Sequence, residues 1–429
     1  MVNALLTRLL SPEHVGAYYL IFGLVSFALL VCLFGTQQGV VRLISAAQAG
    51  AGSISTRAAI KSCLLIVSIC TGLVAGGYAA GLGAYIGLEV LESEYVASLA
   101  LITALWIVLR AGQTFFAECF RGFKRIDFAS TFEGTASGLL LMVFLSVVFV
   151  LQLDISLEKV LLLTVISLVV AVSISGYCLV RIITRDSSPG GHMRPRYALS
   201  ICAPLFVASL CLQGFTELHI GILGYFASGD ELALYGAAFR LSKFVVLPLV
   251  VVNSIIPPMV SQLYHLSKSE ETERLLRLTA TVSSIPTLLI VATIVVFGEE
   301  ILALVFGDFY RNAAMVLTIL LCGQLVNSMS GSPGILLAMA NRQKVVMISA
   351  LLSGALGLVL SVALAPAFAA TGVAIGVAVS TALHNIIMWA YCRVQLNIRT
   401  HLNPTDARKA LGLALNPRKL KELSSGSDK

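Results

Sequence analysis

The chain has 429 residues, 58% of them hydrophobic and only 12% charged, with a formal net charge of +7 and a mean hydropathy of +0.92. A soluble domain carries about 25% charged residues, so this composition excludes a globular surface wrapped around a core and indicates a chain whose solvent is lipid. In that solvent the positive balance reads as basic residues gathered on cytoplasmic loops, not as a nucleic-acid surface.

The chain opens with MVNALLTRLL, which as helix covers only about 15 Å, half a bilayer. This segment is expected to be the back half of a first spanning helix whose front is missing. The rival is an N-terminus that starts outside on a short interfacial helix. Apolar stretches follow at approximately 15–46, 60–83, 96–118, 131–151, 159–182, 198–227, 233–263, 279–297, 313–338, 345–365 and 371–394. Each can supply the roughly 20 residues that a spanning helix needs, giving eleven full spans, or twelve with the first restored. Pro204, Pro248, Pro257, Pro258 and Pro286 lie in or near these stretches and are expected to kink them. All nine cysteines fall in apolar stretches without a CxxC pair, so they read as small buried hydrophobes rather than disulfides or metal ligands.

The connectors alternate in charge. Arg57 and Lys61 are followed by Glu89, Glu92 and Glu94, then by Lys124 and Arg125, then by Asp154 and Glu158. Arg185, Arg194 and Arg196 precede Asp230 and Glu231; Lys268, Arg274 and Arg277 precede Glu299, Glu300 and Asp308. Arg342 and Lys344 come next, and the tail is basic again with Arg393, Arg399, Arg408, Lys409, Arg418, Lys419 and Lys421. Of the 29 Lys and Arg, Arg8, Lys159 and Arg311 fall on the acidic side, Arg110, Arg240 and Lys243 lie inside spans, and the rest collect on one side. The positive-inside bias puts that side, and the C-terminus, in the cytoplasm.

Two segments repeat weakly. SPEHVGAYYLIFGLVSFALL from Ser11 resembles SGDELALYGAAFRLSKFVVL from Ser228, and ECFRGFKRIDFAS from Glu118 resembles the stretch around LAMANRQKVVMIS. The shared offset implies two parallel halves of six helices, with a substrate site between the repeats near midplane. Lobes are therefore expected at 1–190 and 191–395, followed by a basic cytoplasmic tail at 396–429.

LLTRLLSPEHVGAYYL followed by GVVRLIS resembles the first hairpin of bacterial polysaccharide flippases of the multidrug/oligosaccharidyl-lipid/polysaccharide exporter superfamily. ELALYGAAFRLSKFVVLPLVVVNSIIPPMVSQLY is similar to that family's seventh-to-eighth helix region, and VFGDFYRNAAMVLTILLCGQLVNSMSGSPGILLAMANRQK to its tenth helix. The resemblance implies an all-α polytopic protein with two helical lobes in a V. It implies alternating access and an undecaprenyl-diphosphate-linked glycan as substrate. It also implies an inner-membrane location and no cofactor. Besides the lipid-linked oligosaccharide and membrane lipids, the expected partners are a polysaccharide polymerase and glycosyltransferases. An antiporter of small organic cations or drugs on the same fold is the alternative. No HExxH, GxSxG or P-loop occurs in the sequence, and no long loop is present to house an enzyme site.

Charged side chains inside spans cost about 2.5–3.5 kcal/mol each on insertion scales, which makes them the candidate functional residues. Arg240 and Lys243 are three apart and share a helix face, so they are expected to contact the substrate diphosphate, the rival being snorkelling to the interface. Arg42 is a third candidate cation, or a residue that only sets topology. Arg110 and Glu118 are eight apart on one helix, on roughly one face, and would pair with each other through a bridging group or with neighbouring helices, as a structural ion pair or as a substrate or proton site. Glu217 is the candidate for ion coupling, with His219 as helper, against a carboxyl simply hydrogen-bonded to a neighbouring helix. Glu133 is expected to serve the dipole of its own helix, and Arg121 to be a positive-inside residue. Gln37, Gln38, Asn253, Gln324, Asn327, His384 and Asn385 would contact sugar hydroxyls or tie helices together. The GxxxG patterns at Gly72–Gly76, Gly77–Gly81 and Gly372–Gly376 read as helix-packing signals.

Overall fold

The computed structural model describes residues 2–48, 55–185, 193–266 and 268–403; the basic residues from Arg408 onward lie outside this set. No strand occurs among the described residues. The helices are α1 (Val2–Leu9), α2 (Pro12–Leu33), α3 (Thr36–Gln48), α4 (Thr56–Gly77), α5 (Ala100–Gly122), α6 (Ala136–Val150), α7 (Leu157–Arg185), α8 (Pro195–Ser209) and α9 (Phe215–Phe226). They continue with α10 (Gly229–Val245), α11 (Leu247–Ile255), α12 (Pro257–His265), α13 (Ser269–Phe306), α14 (Ala314–Ser330), α15 (Pro333–Met339) and α16 (Gln343–Gln395). Five-residue π-helical segments interrupt the runs at Tyr78–Leu82, Ile86–Val90, Thr131–Thr135 and Leu210–Gly214.

Eight helical runs are long and apolar enough to cross a bilayer, and a ninth counts if α10 and α11, bent by 45° at Val246, form one span. The 53 residues of α16 would reach about 80 Å, more than twice the hydrocarbon core. The run breaks at Ala369 (φ 43°, ψ −124°) into two helical halves. The run through α8 and α9 is helical as well, so all eleven apolar stretches emerge as helix. The chain is an all-α, multi-pass membrane protein.

Local chemistry sets the breaks. Ser11 caps α2 by accepting the His14 N–H, with Pro12 at the first helical position and Glu13 in the first turn. The run ends at Phe34 and Gly35, both at positive φ (42° and 73°). A Cβ on Gly35 would lie 2.2 Å from the Cys202 carbonyl oxygen on α8, so only glycine lets the two backbones meet there. The ring of Phe34 stacks on Phe206 at 4.5 Å beside the break. Pro204 and Pro286 are carried inside α8 and α13, whereas Pro248 and Pro257 open α11 and α12.

The chain forms two compact units, Met1–Ala233 and Leu234–Lys429. Within the first unit α8 lies on α3 and α4, and α9 lies on α2. In that unit α5 is central, touching α2, α3, α4 and α7. One end gathers the acidic connectors, as a cavity lined by Glu13, Glu92, Glu94 and Ser228 shows. The other gathers basic ones, with Arg57 donating to the Ile183 and Thr184 carbonyls (3.2–3.4 Å).

In the second unit α14 packs on α13 and α16, and α15 on α12 and α16. The segment after α16 folds back over this bundle. Arg399 N–H donates to Glu273 Oε2 (3.0 Å), the Thr400 hydroxyl to the Ser330 carbonyl (2.9 Å), and Leu402 N–H to the Met329 carbonyl (3.1 Å). The last two bonds satisfy carbonyls left open where α14 stops at Gly331. The two halves of α16 pack through Gly372 and Gly376, whose Cβ positions would meet Leu364 and Ser361 within 2.6 Å. The patterns at Gly72–Gly76 and Gly77–Gly81 differ: nothing lies within 4 Å of their Cβ positions, so they do no packing within the described chain.

Candidate transport site

The first unit holds a polar network between α5 and the chain that returns toward α6. Arg110, half-buried on α5, donates through Nη1 to Gln113 Oε1 (2.7 Å) and to the Glu133 carbonyl (3.1 Å). Gln113 is fully buried and donates in turn to the Ser137 hydroxyl (2.9 Å), which itself donates to the Gly134 carbonyl (3.2 Å). The π-helical turn Thr131–Thr135 makes this possible, because its widened hydrogen bonding turns the Glu133 and Gly134 carbonyls toward side chains. Hydrogen bonds to a charged group are worth about 1.5–3 kcal/mol each, comparable to the cost of placing Arg110 in a span.

About three helical turns beyond Arg110, Arg121 bonds two carboxylates at once, Glu118 on its own helix and Glu133 on the returning segment. Each of Arg110 and Glu118 has its own partner: Arg110 donates to Gln113, and Glu118, 9% exposed, bonds Arg121. Two expectations are corrected here. Arg121 is more than a topology residue, since it ties two elements together. Glu133 serves an ion pair rather than only its helix dipole. The turn that brings Glu133 back runs through Lys124 at φ 58° and the short helix Ile126–Ser130, with Phe120, Phe128 and Phe132 clustered behind it at 5.5–6.2 Å.

Glu217 and His219 both lie on α9, Glu217 half-buried and His219 3% exposed. Two residues apart on a helix means about 200° of rotation, so they point to opposite sides and α9 cannot aim both at one site. Arg42 is exposed on α3.

In the second unit Arg240 is half-buried and Lys243 exposed on α10, one turn apart. The Lys243 ammonium sits 4.7 Å above the Phe239 ring, a cation–π contact that holds it against the helix. Phe239 stacks on Tyr235 (6.0 Å, 13°). Among the polar residues, Asn253 accepts from the Ser332 hydroxyl (2.5 Å) and His384 contacts the Ser349 hydroxyl (3.1 Å), so each ties two helical segments. Asn327 donates to Gln324 (3.2 Å) and Asn385 to the Thr381 carbonyl (2.9 Å), each within one helix. Gln37 is half-buried and Gln38 exposed. No group of three or more His, Cys, Asp or Glu among the described residues has a metal-binding arrangement.

A family model described as "Polysaccharide biosynthesis protein" matches residues 1–264. The chain belongs to that family. A second model, MatE, matches residues 204–363. Among curated relatives, "Probable low-salt glycan biosynthesis flippase Agl15" of Haloferax volcanii is 26% identical over 152 residues. That match spans 35% of this chain and 32% of the relative, about a third of its length. Several solved structures share the fold. An inward-facing multidrug resistance MATE family transporter of the MOP superfamily superposes with a TM-score of 0.74 at 14% identity, covering 100% of this chain and 95% of the other. The lipid II flippase MurJ, in an inward closed conformation, superposes with a TM-score of 0.72 at 12% identity, covering 100% and 90%. This member of the polysaccharide biosynthesis family thus has the fold of these two transporters.

Proposed function

We propose that this protein is a flippase that carries an undecaprenyl-diphosphate-linked oligosaccharide from the cytoplasmic to the periplasmic leaflet of a bacterial inner membrane by alternating access. The observation that carries the reading is the cationic face of α10, where Arg240 and Lys243 lie one turn apart in an otherwise apolar run. A diphosphate is a compact dianion that Arg binds bidentately and Lys as a point charge, and cations inside a span favour an anionic headgroup over a cationic drug. Family membership and the relatives named as flippases support the same reading. Basic connectors and tail in the cytoplasm follow from the charge bias, and polymerase and glycosyltransferases would act before and after the flip. Arg42 would be a third diphosphate contact, and Glu217 a coupling carboxyl.

Glu118, bonded to Arg121, and Arg110 on the same helix would be further members of the coupling machinery, with His219 beside Glu217. The MatE match over residues 204–363 favours an alternative, export of small organic cations on the same fold. Deleting the gene and separating lipid-linked glycans by leaflet tests the choice. Accumulation on the cytoplasmic face with surface glycan lost supports the flippase; unchanged glycans favour the exporter.

A further inference from the structure

The acidic end of the first unit holds a cavity of about 580 Å³, within the roughly 300–1,000 Å³ of small-molecule sites. We propose that it binds an organic ammonium group carried on a body the size of a disaccharide. It is independent of the residues assigned to diphosphate and coupling, none of which line it.

Three observations converge. First, the walls are aromatic as well as acidic: Tyr95, Tyr225 and Phe226 line the cavity with Glu13, Glu92 and Glu94. Tyr225 is 61% exposed and Phe226 37%, and the two rings stand perpendicular at 4.8 Å. Tyr95 meets His14 in an edge contact at 4.9 Å. Open aromatic faces attract an ammonium through the ring quadrupole. Second, no Lys or Arg is among the lining residues, so nothing within the cavity neutralises the carboxylates. Third, the carboxylates do not converge as metal ligands would, since no metal-competent group of three His, Cys, Asp or Glu exists among the described residues. Charges spread around a cavity suit an extended cation with several hydrogen-bond donors, not a point ion.

The floor is closed. A Cβ on Gly224 would meet Leu20 at 2.4 Å, and one on Gly16 would meet the Gly229 carbonyl at 2.1 Å, so α2 packs directly on α9 and on the start of α10. A ligand therefore rests at the end of the helices and does not pass between them. Headgroup-level aromatics on spanning helices commonly face lipid; these three line one cavity together with the carboxylates.

Two sources supply this chemistry: an amino sugar of a glycan, or a free polyamine. The test uses the full chain in nanodiscs and ligand-observed saturation-transfer NMR. The probes are a glucosamine disaccharide, its N-acetylated counterpart, and spermidine. The ammonium probes are expected to bind, and the neutral N-acetylated disaccharide at least tenfold more weakly. Tighter binding of the disaccharide assigns the site to a sugar-borne amine, tighter spermidine binding to a free cation. The triple variant Glu13→Gln, Glu92→Gln, Glu94→Gln and, separately, Tyr225→Ala should each lower ammonium affinity tenfold or more. These side chains are exposed, and an unchanged melting temperature confirms that each variant is folded. Equal binding of the N-acetylated and free-amine disaccharides, or ammonium binding unaffected by both variants, overturns the proposal. Because the readout is binding and not translocation, failure here leaves the flippase assignment untouched.

Discussion

Arg121 joins Glu118, three residues earlier on α5, to Glu133, twelve residues later on the segment that returns toward α6. Removing the arginine leaves two carboxylates facing each other with no cation between them. Arg121→Gln is expected to lower stability by about 1–3 kcal/mol, below the range for a fully buried pair because the Arg121 and Glu133 side chains are partly exposed. Adding Glu118→Gln to Arg121→Gln should recover part of the loss. Thermal unfolding in detergent measures both; no recovery in the double variant contradicts like-charge repulsion as the cause.

Gln113 links Arg110 to Ser137 while fully buried. Ser137→Ala strands one Gln113 donor, and an unsatisfied buried donor costs about 1–3 kcal/mol. Gln113→Leu strands part of Arg110 as well and should cost more. Equal melting temperatures for the two variants would show that Arg110 does not depend on Gln113.

The seam between α3 and α8 makes a compensation prediction. A Cβ on Gly39 would lie 2.5 Å from Cys202 Sγ but 3.8 Å from its Cβ. Gly39→Ala alone should destabilise by about 1–3 kcal/mol through overpacking. With Cys202→Ala in the same chain most of that cost should disappear, and a double-mutant cycle on melting temperatures gives the coupling directly.

His401, beyond the last span, accepts the Trp389 indole N–H at 3.0 Å through Nδ1. Partial burial, reinforced by Arg277, Arg393 and Arg399 and opposed by Glu273, lowers its pKa below the ordinary 6.5. The folded state thus favours the neutral ring. As pH falls below about 6.5 the unfolded chain takes the proton first, so stability drops across the window between 6.5 and the lowered folded value, then levels off. Wild type should lose more melting temperature than His401→Gln between pH 7.5 and 5.5. An equal loss in both removes His401 from the pH response.

Much of the fold is legible in the text of the chain because lipid imposes a simple rule. Backbone groups must be satisfied within helices, so apolar length reports spans, and connector charge reports which end each loop occupies. What stays hidden depends on partners. The Glu118–Arg121 spacing is visible in ECFR, yet an arginine at a basic span end already has an explanation, and the second carboxylate arrives only through the turn at Lys124. The separate packing of α8 and α9 on α2, α3 and α4 follows from close approaches at Gly35, Gly39 and Gly224, whose partners no sequence pattern names. Conversely, glycines spaced as GxxxG at Gly72–Gly76 look like packing and meet open space.

The central claim is movement of an anionic lipid-linked glycan on the cationic face of α10. The direct measurement reconstitutes the full chain in liposomes containing an undecaprenyl-diphosphate oligosaccharide and follows its accessibility to an external glycosidase. Wild type is expected to expose the inner-leaflet pool, and Arg240→Ala with Lys243→Ala to slow exposure at least tenfold while inserting normally. A wild-type chain that leaves the inner pool protected, or a double variant that flips at the wild-type rate, contradicts the account.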